Sequence, residues 1–235
     1  MWESVFISDI HGNLPALEAV LSDIRSTRPS VPILCLGDIV GKGPSNAACI
    51  DLVRENCTDV LRGNWDKAAV HSDRHTAPFI REQIGEERTD YLHRLPYLKV
   101  LHLYGHNIKL FHGRFIVPHV LWPWAKDEEW DHYIQAFDGG NSDIIGIGDT
   151  HWQFQRVHDG VFLFNCGSVG NSVDGSNMAA YSILRLYENG GIELTQKRIP
   201  YDIDRELELA RTTPGFPEAE KYCVEIRTAS YGGRR

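Results

Sequence analysis

Five short clusters of acidic, histidine and amide residues interrupt the sequence, and glycine stands beside nearly every one of them. In chain order they are Ser8-Asp9-Ile10-His11-Gly12, Gly37-Asp38, Arg62-Gly63-Asn64-Trp65-Asp66, His112-Gly113 and Gly148-Asp149-Thr150-His151. Glycine lets the backbone turn sharply and leaves room for an ion or a ligand close to the chain. One Asp or His in a loop is commonplace, but five such clusters in one chain indicate a binding site.

The side chains in these clusters have the chemistry of metal ligands. Carboxylate, amide and imidazole groups suit Mn, Fe, Zn, Co or Ni, and no thiol belongs to the set. The Asp and His of the first cluster are two residues apart, as are those of the last, and in extended backbone this spacing puts both side chains on one face. The candidate ligands are Asp9, His11, Asp38, Asn64, His112, Asp149 and His151. Seven ligands are too many for one tetrahedral ion and suit two ions that share a carboxylate.

The segments around the first three clusters alternate between predicted strands and helices. Residues 5–8, 31–36 and 59–61 have the apolar composition of short buried strands, and residues 14–24 and 47–53 have apolar side chains at helical spacing. This alternation predicts a parallel sheet with right-handed crossovers. The polar clusters then fall at the carboxyl ends of strands, where open α/β sheets bind ligands.

The rest of the chain mixes helices with hairpins. Residues 66–95 and 127–137 are predicted helices, and "YGHN" at 104–107 is the turn of a hairpin. After residue 143 we predict strands at 144–147, 154–158, 161–164, 181–186 and 192–197, connected as antiparallel hairpins, and then a helical tail from about Asp202. We therefore expect one α/β (α+β) domain over residues 1–235.

Composition limits the classes of function. The 235 residues and 42% hydrophobic content suffice for a sizeable core, and the net charge of −8 argues against a broad nucleic-acid surface. The chain has neither a signal-peptide pattern nor an apolar stretch of membrane-spanning length. Five scattered cysteines without a CxxC motif indicate reduced thiols. We expect a cytoplasmic protein, and the sequence leaves its oligomeric state open.

The motifs also carry a family resemblance. In order, "DIHG" (9–12), "GDIVGKGP" (37–44), "GNWD" (63–66), "HG" (112–113) and "GDTH" (148–151) resemble the motif set of calcineurin-like metallophosphoesterases. "NCGSVG" (165–170) resembles a loop of their small bacterial and archaeal phosphodiesterase branch. The resemblance spans roughly residues 4–200. It implies a β-sandwich of mixed sheets flanked by helices, with a dinuclear metal site at one edge.

The resemblance also implies roles for individual residues. Asp9, His11, Asp38 and His151 would hold one ion, Asp38 would bridge, and Asn64, His112 and Asp149 would hold the other. In this family a hydroxide that bridges two metal ions attacks phosphorus, so Asp38, Asn64 and His112 become the candidate catalytic residues. Arg62, Asn64 and His119 are candidate substrate contacts.

Two positions depart from the family pattern. Asp149 stands where the family has histidine, so we expect a harder ligand set that favours Mn or Fe over Zn, with a one-ion site as the alternative. Trp65 stands where many phosphomonoesterases of the family have a general-acid histidine, and indole cannot replace it. Asp66, Arg62 or a metal-bound water could substitute, although Asp66 is more simply explained as a helix cap.

These departures define the functional expectation. We predict a metal-dependent phosphoesterase that hydrolyses phosphodiesters or activated phosphoesters, with a small phosphoester or nucleotide as its substrate. The alternatives are a phosphomonoesterase or a nucleotide-pyrophosphate hydrolase of the same fold, and a catalytically idle scaffold with a degenerate metal site.

Overall fold

The computed structural model describes residues 1–73, 76–114, 122–138 and 141–231. Its strands are β1 (Trp2–Ile7), β2 (Ile33–Cys35), β3 (Asp59–Val60), β4 (Leu98–Leu103), β5 (His106–Phe111), β6 (Ile144–Ile147), β7 (Phe154–His158), β8 (Val161–Asn165), β9 (Ala179–Leu186) and β10 (Ile192–Ile199). Its helices are α1 (Leu14–Thr27), α2 (Asn46–Asn56), α3 (Asn64–His71), α4 (Ala77–Arg94), α5 (Asp127–Asp138), α6 (Ile203–Thr212) and α7 (Ala219–Thr228).

The strands form two five-stranded sheets. The first has the order β10-β9-β1-β2-β3, in which β1, β2 and β3 are parallel and β9 and β10 antiparallel. The second has the order β4-β5-β6-β8-β7, in which β5, β6 and β8 are parallel. Three predicted hairpins, β4–β5, β7–β8 and β9–β10, are antiparallel as expected. Strand β6 is not part of a hairpin, because it runs parallel to both of its neighbours.

The two sheets pack face to face around an apolar layer. Alternate residues of β1 divide between the two faces of the first sheet. Phe6 therefore packs between the sheets with Phe164 and Leu110, while Val5 and Ile7 face helices α1 and α2. On the outer face of the second sheet, α5 buries Trp130. The predicted sandwich of mixed sheets flanked by helices is confirmed.

Local sequence explains where the helices begin and bend. Asn13 caps α1 by accepting a hydrogen bond from the backbone N–H of Ala16 (3.1 Å). The polar segment predicted as one helical region is two helices, α3 and α4, and α4 bends at Gly85, whose φ is +71°. Glycine adopts that conformation without steric cost.

The chain after residue 202 consists of α6 and α7. Asp202 caps α6 by accepting a hydrogen bond from the backbone N–H of Arg205 (2.9 Å). The two helices bury a small apolar cluster of their own, which includes Leu207, Phe216 and Tyr222 and is contacted by Phe79 of α4. That the whole chain is one domain stays a prediction. None of the helices in the described ranges has the length and apolarity that crossing a bilayer requires.

Candidate metal centre

The parallel strands of both sheets end at the same edge of the sandwich, and the polar clusters follow them there. Asp9 and His11 come after β1, Asp38 after β2, and Asn64 is the first residue of α3, after β3. In the second sheet His112 directly follows β5, while Asp149 and His151 follow β6. His11 and His151, which are 140 positions apart in the chain, thus come into contact.

The described residues include two buried groups with metal-ligating geometry at this edge. One group is Asp9, His11 and His151, the other is Asp9, Asp38 and His112, and the donor atoms within each group lie within 4.8 Å of one another. The Nε2 atoms of His11 and His151 are 3.0 Å apart, and Oδ1 of Asp9 lies 3.3 Å from Nε2 of His151. Asp9 belongs to both groups.

Asp38 belongs to the second group and also lies close to His11 of the first group. Its Oδ2 is 3.6 Å from Nε2 of His11 and 3.2 Å from Nε2 of His112. Its Oδ1 accepts a hydrogen bond from the backbone N–H of Trp65 (2.7 Å), which fixes the orientation of the carboxylate. The other two candidate ligands border His112, whose Nε2 is 3.1 Å from Oδ1 of Asn64 and 3.9 Å from Oδ1 of Asp149. All seven residues singled out from the sequence therefore converge.

Backbone carbonyls orient two of the imidazoles. Nδ1 of His112 lies 2.9 Å from the carbonyl oxygen of Leu36, and Nδ1 of His151 lies 2.6 Å from that of Asn171. When Nδ1 donates to a carbonyl, Nε2 carries the lone pair, and in both residues Nε2 faces the cluster. Metal-bound histidines are held in the same way.

The electrostatics of the cluster fit bound cations. Burial opposes protonation of His112, but the Asp38 and Asp9 carboxylates outweigh it and raise the pKa of His112 well above its usual value. Burial raises the pKa of Asp9 to about 7, with His112 opposing the rise. Oδ1 of Asp9 is buried without a hydrogen-bond partner among the described residues. An unpaired carboxylate oxygen surrounded by imidazole nitrogens is the environment that a divalent cation would satisfy.

Asp66 holds the backbone around the candidate ligands Asp38 and Asn64 in place. Its carboxylate accepts hydrogen bonds from the backbone N–H groups of Gly63 (2.9 Å), Asp38 (2.8 Å), Ile39 (2.9 Å) and Val40 (3.2 Å). It therefore closes the N-terminus of α3, which confirms the cap interpretation, and it also ties that helix to the Asp38 loop. A carboxylate with four such donors is occupied structurally and is a poor candidate for a proton donor.

Two of the predicted substrate contacts, Arg62 and His119, are not among the converging candidate ligands. Arg62 is buried at 6% exposure, and its guanidinium lies 4.8 Å from the Tyr97 ring and donates to the Tyr97 hydroxyl (3.0 Å). Its role in substrate binding stays a prediction. His119 lies outside the described residues.

Sequence reasoning missed Arg114. Its Nε donates to Oδ1 of Asp149 at 2.8 Å, while its side chain stays 47% exposed. The cationic group therefore competes for a carboxylate that the metal cluster would use. Its position directly after His112-Gly113 could have identified it, because a residue next to a predicted ligand lies close to the site.

The family comparison agrees with this geometry. The model of the calcineurin-like phosphoesterase superfamily domain matches residues 3–189. The chain belongs to this superfamily. Its members use divalent metal ions and hydrolyse phosphoesters, and the two ligand groups are where such ions would bind.

Individual relatives are similar over most of their length. The chain is 31% identical to an uncharacterized protein of Methanocaldococcus jannaschii over 227 residues, which covers 86% of this chain and 89% of that protein. It is 27% identical to the phosphodiesterase YfcE of Escherichia coli over 197 residues, 78% of this chain and 88% of that protein. The structure of a metallophosphoesterase from Sphaerobacter thermophilus superposes with a TM-score of 0.78 at 26% identity, covering 97% of this chain and 99% of that one.

Proposed function

We propose that the protein is a two-metal phosphoesterase that favours phosphodiesters or activated phosphoesters. The observation that carries the proposal is the pair of buried ligand groups that share Asp9, with Asp38 of the second group also 3.6 Å from His11 of the first. Two divalent cations in such a site would supply an activated water as nucleophile and neutralise charge on the phosphoryl oxygens. Asp9, His11, Asp38 and His151 would hold one cation, and Asn64, His112 and Asp149, with Asp38 shared, would hold the other.

The preference for activated esters rests on Trp65. Its ring meets the His11 ring edge-on, with the centroids 5.7 Å apart, in the position where many phosphomonoesterases have a proton-donating histidine. Without a general acid at that position, esters with poor leaving groups react more slowly by about 10²–10⁴-fold. The preference for diesters rests on the relation to a protein named as a phosphodiesterase.

Manganese is the metal that we favour, with Fe, Zn, Co or Ni as alternatives. Asp149 contributes a carboxylate oxygen where the family has an imidazole, and hard oxygen ligands favour Mn over Zn. We also propose a cytoplasmic location, since all five cysteines are free thiols and four of them are buried. The proposed substrate is a small phosphoester or nucleotide.

The test compares two substrates on metal-depleted and metal-reloaded protein. Reloading with Mn²⁺ should restore hydrolysis of bis-p-nitrophenyl phosphate, with a smaller rate on p-nitrophenyl phosphate. Asp38→Asn should abolish both activities, while Asp90→Asn on exposed α4 should leave them unchanged. Activity that survives EDTA or Asp38→Asn would refute the proposal. Preference for the monoester would favour a phosphomonoesterase, and an inactive protein with less than one bound ion per chain would favour the idle scaffold.

A further inference from the structure

A cavity of about 240 Å³ lies beside the metal centre, between the loop after β2 and the C-terminal helix α7. Lys42, Trp65 and Thr76 line it from the body of the domain. The residues that line it from the C-terminal side are Pro217, Glu218, Lys221, Tyr222, Glu225 and Tyr231. Its volume is below that of a drug-sized pocket and suits one compact ring system with a sugar or a similar group.

Two aromatic walls of the cavity also contact the metal ligands. Trp65 lies against His11, as described above, and the Tyr231 ring lies 5.8 Å from the His151 ring. The backbone N–H of Trp65 donates to Asp38. A group attached to a phosphorus atom at the metal centre would therefore lie next to the cavity.

The charges at the cavity are paired within the protein. Nζ of Lys42 lies 3.3 Å from Glu225 and 2.8 Å from Oδ1 of Asn171. Nζ of Lys221 lies 3.0 Å from Glu218. With each ammonium group matched to a carboxylate, the cavity has no excess charge to attract a second phosphate. Its electrostatics favour an uncharged occupant.

One buried polar atom at the cavity is unpaired. Thr76 is 8% exposed, and its Oγ1 has no hydrogen-bond partner among the described residues. A buried hydroxyl without a partner costs free energy, so such groups usually bond to a ligand or a water. Aromatic walls together with an unpaired hydroxyl match a flat ring that also carries hydrogen-bonding groups.

We propose that this cavity binds a nucleoside-sized, uncharged arm of a phosphodiester substrate. This inference rests on the proposed function. The arm stacks against Trp65, packs beside the Tyr231 ring, over which Nζ of Lys42 lies at 4.4 Å from the centroid, and bonds to the Thr76 hydroxyl. The outer wall consists of residues 217–231, which lie beyond the family-model match that ends at residue 189. The cavity is therefore a specificity element that the C-terminal helices add to the shared phosphoesterase domain.

A binding measurement tests the cavity without catalysis. Thymidine should bind EDTA-treated protein with a Kd of about 1–10 mM, measured by saturation-transfer NMR. Thr76→Val and Tyr231→Ala should each weaken this binding by about fivefold or more, because they remove one hydrogen bond or one aromatic contact. Tyr104→Ala, which removes a partly exposed tyrosine from the β4–β5 turn, is the matched control. Absence of thymidine binding, or equal binding by all four proteins, would overturn the proposal.

A kinetic measurement separates the cavity from the reaction. On Mn²⁺-loaded protein, the p-nitrophenyl ester of thymidine 5′-phosphate should have a kcat/KM about tenfold above that of ethyl p-nitrophenyl phosphate, which has the same leaving group. Thr76→Val should reduce only the nucleoside ester's value. An equal effect of Thr76→Val on the kcat/KM of both esters would contradict the proposed role of the cavity. If neither ester is hydrolysed while thymidine still binds, the proposed function fails and the cavity assignment stands.

Discussion

The contact between Arg114 and Asp149 predicts that an arginine limits metal loading. Oδ1 of Asp149 accepts the Arg114 Nε–H at 2.8 Å and lies 3.9 Å from Nε2 of His112. If Asp149 is a metal ligand, the guanidinium and the second cation compete for the same carboxylate. Arg114→Ala should therefore raise the affinity for the more weakly bound ion.

The geometry of the pair sets the size of this effect. The Arg114 side chain is 47% exposed and that of Asp149 is 4% exposed, so water screens only one partner. Such an ion pair contributes about 1 kcal/mol, at the upper end of the range for exposed pairs. This corresponds to about fivefold in the dissociation constant of that ion, since 1.4 kcal/mol is a factor of ten.

The assay is a metal titration followed by calorimetry and elemental analysis. Arg205→Ala is the matched control, because Arg205 is 46% exposed and forms an equivalent pair with Glu18 at 2.6 Å. In the complementary variant, Asp149→Asn, the stoichiometry should fall from two ions towards one. Asparagine tolerates the φ of +70° at this position, so the fold should persist.

A third variant tests the choice of metal. Asp149→His should restore an imidazole and shift the preference from Mn towards Zn. The reasoning is wrong if Arg114→Ala leaves both dissociation constants unchanged and Asp149→Asn keeps two ions. Asp149 would then serve only to position Arg114.

Three further predictions concern the support of the site and the stability of the fold. Asp66→Ala should lower the free energy of unfolding, measured by urea titration, by at least about 3 kcal/mol, because four backbone N–H groups lose their acceptor. A loss below about 1 kcal/mol would contradict this prediction. Gly63→Ala should reduce the bound metal measured by elemental analysis, since a Cβ at residue 63 would lie 2.0 Å from Oδ1 of Asp38. An unchanged metal content would show that the loop accommodates the added methyl group. Burial raises the pKa of Glu206 from its usual value of 4.5 to about 8. Between these two pH values the folded state holds a proton that the unfolded state has lost, so the contribution of Glu206 to stability falls as pH rises, by about 1.4 kcal/mol per pH unit. Glu206→Gln, which keeps an acceptor for the Tyr222 hydroxyl, should remove most of this slope; a variant with the wild-type slope would refute the assignment.

The convergence of the candidate ligands could be predicted from the sequence because its signals are local. Each ligand belongs to a short cluster after an apolar strand, and parallel strands bring their carboxyl ends to one edge. Asp9 and His151 are thus adjacent in the fold although far apart in the chain. The alternation of strands and helices predicted the parallel strands of the first sheet, while the sandwich of mixed sheets was implied by the family resemblance.

Contacts between distant side chains could not be predicted in this way. Lys42 lies over the Tyr231 ring (4.4 Å from Nζ to the centroid), and nothing in the sequence near either residue specifies the other. The parallel pairing of β6 was also hidden, because a four-residue apolar run has the same composition in a hairpin and in a parallel sheet. Asp66 was identified as a cap, but its bonds to the Asp38 loop depend on how α3 packs.

The backbone of the metal centre shows how the fold holds its ligands in place. Asp9, His11, Asp38, Asp149 and His151 all have φ between +50° and +70°, the left-handed region that non-glycine residues seldom adopt. Each such residue costs of order 1 kcal/mol, and the cost persists only where the surroundings fix the conformation. Here Asp66 holds the Asp38 loop, while the Gly170 N–H and the Ser168 hydroxyl both donate to the carbonyl oxygen of Asp9, at 3.0 and 2.7 Å. Because backbone contacts fix these turns, they hold the side chains of the candidate ligands close together, and the stability given up in the turns goes into preorganisation of the site.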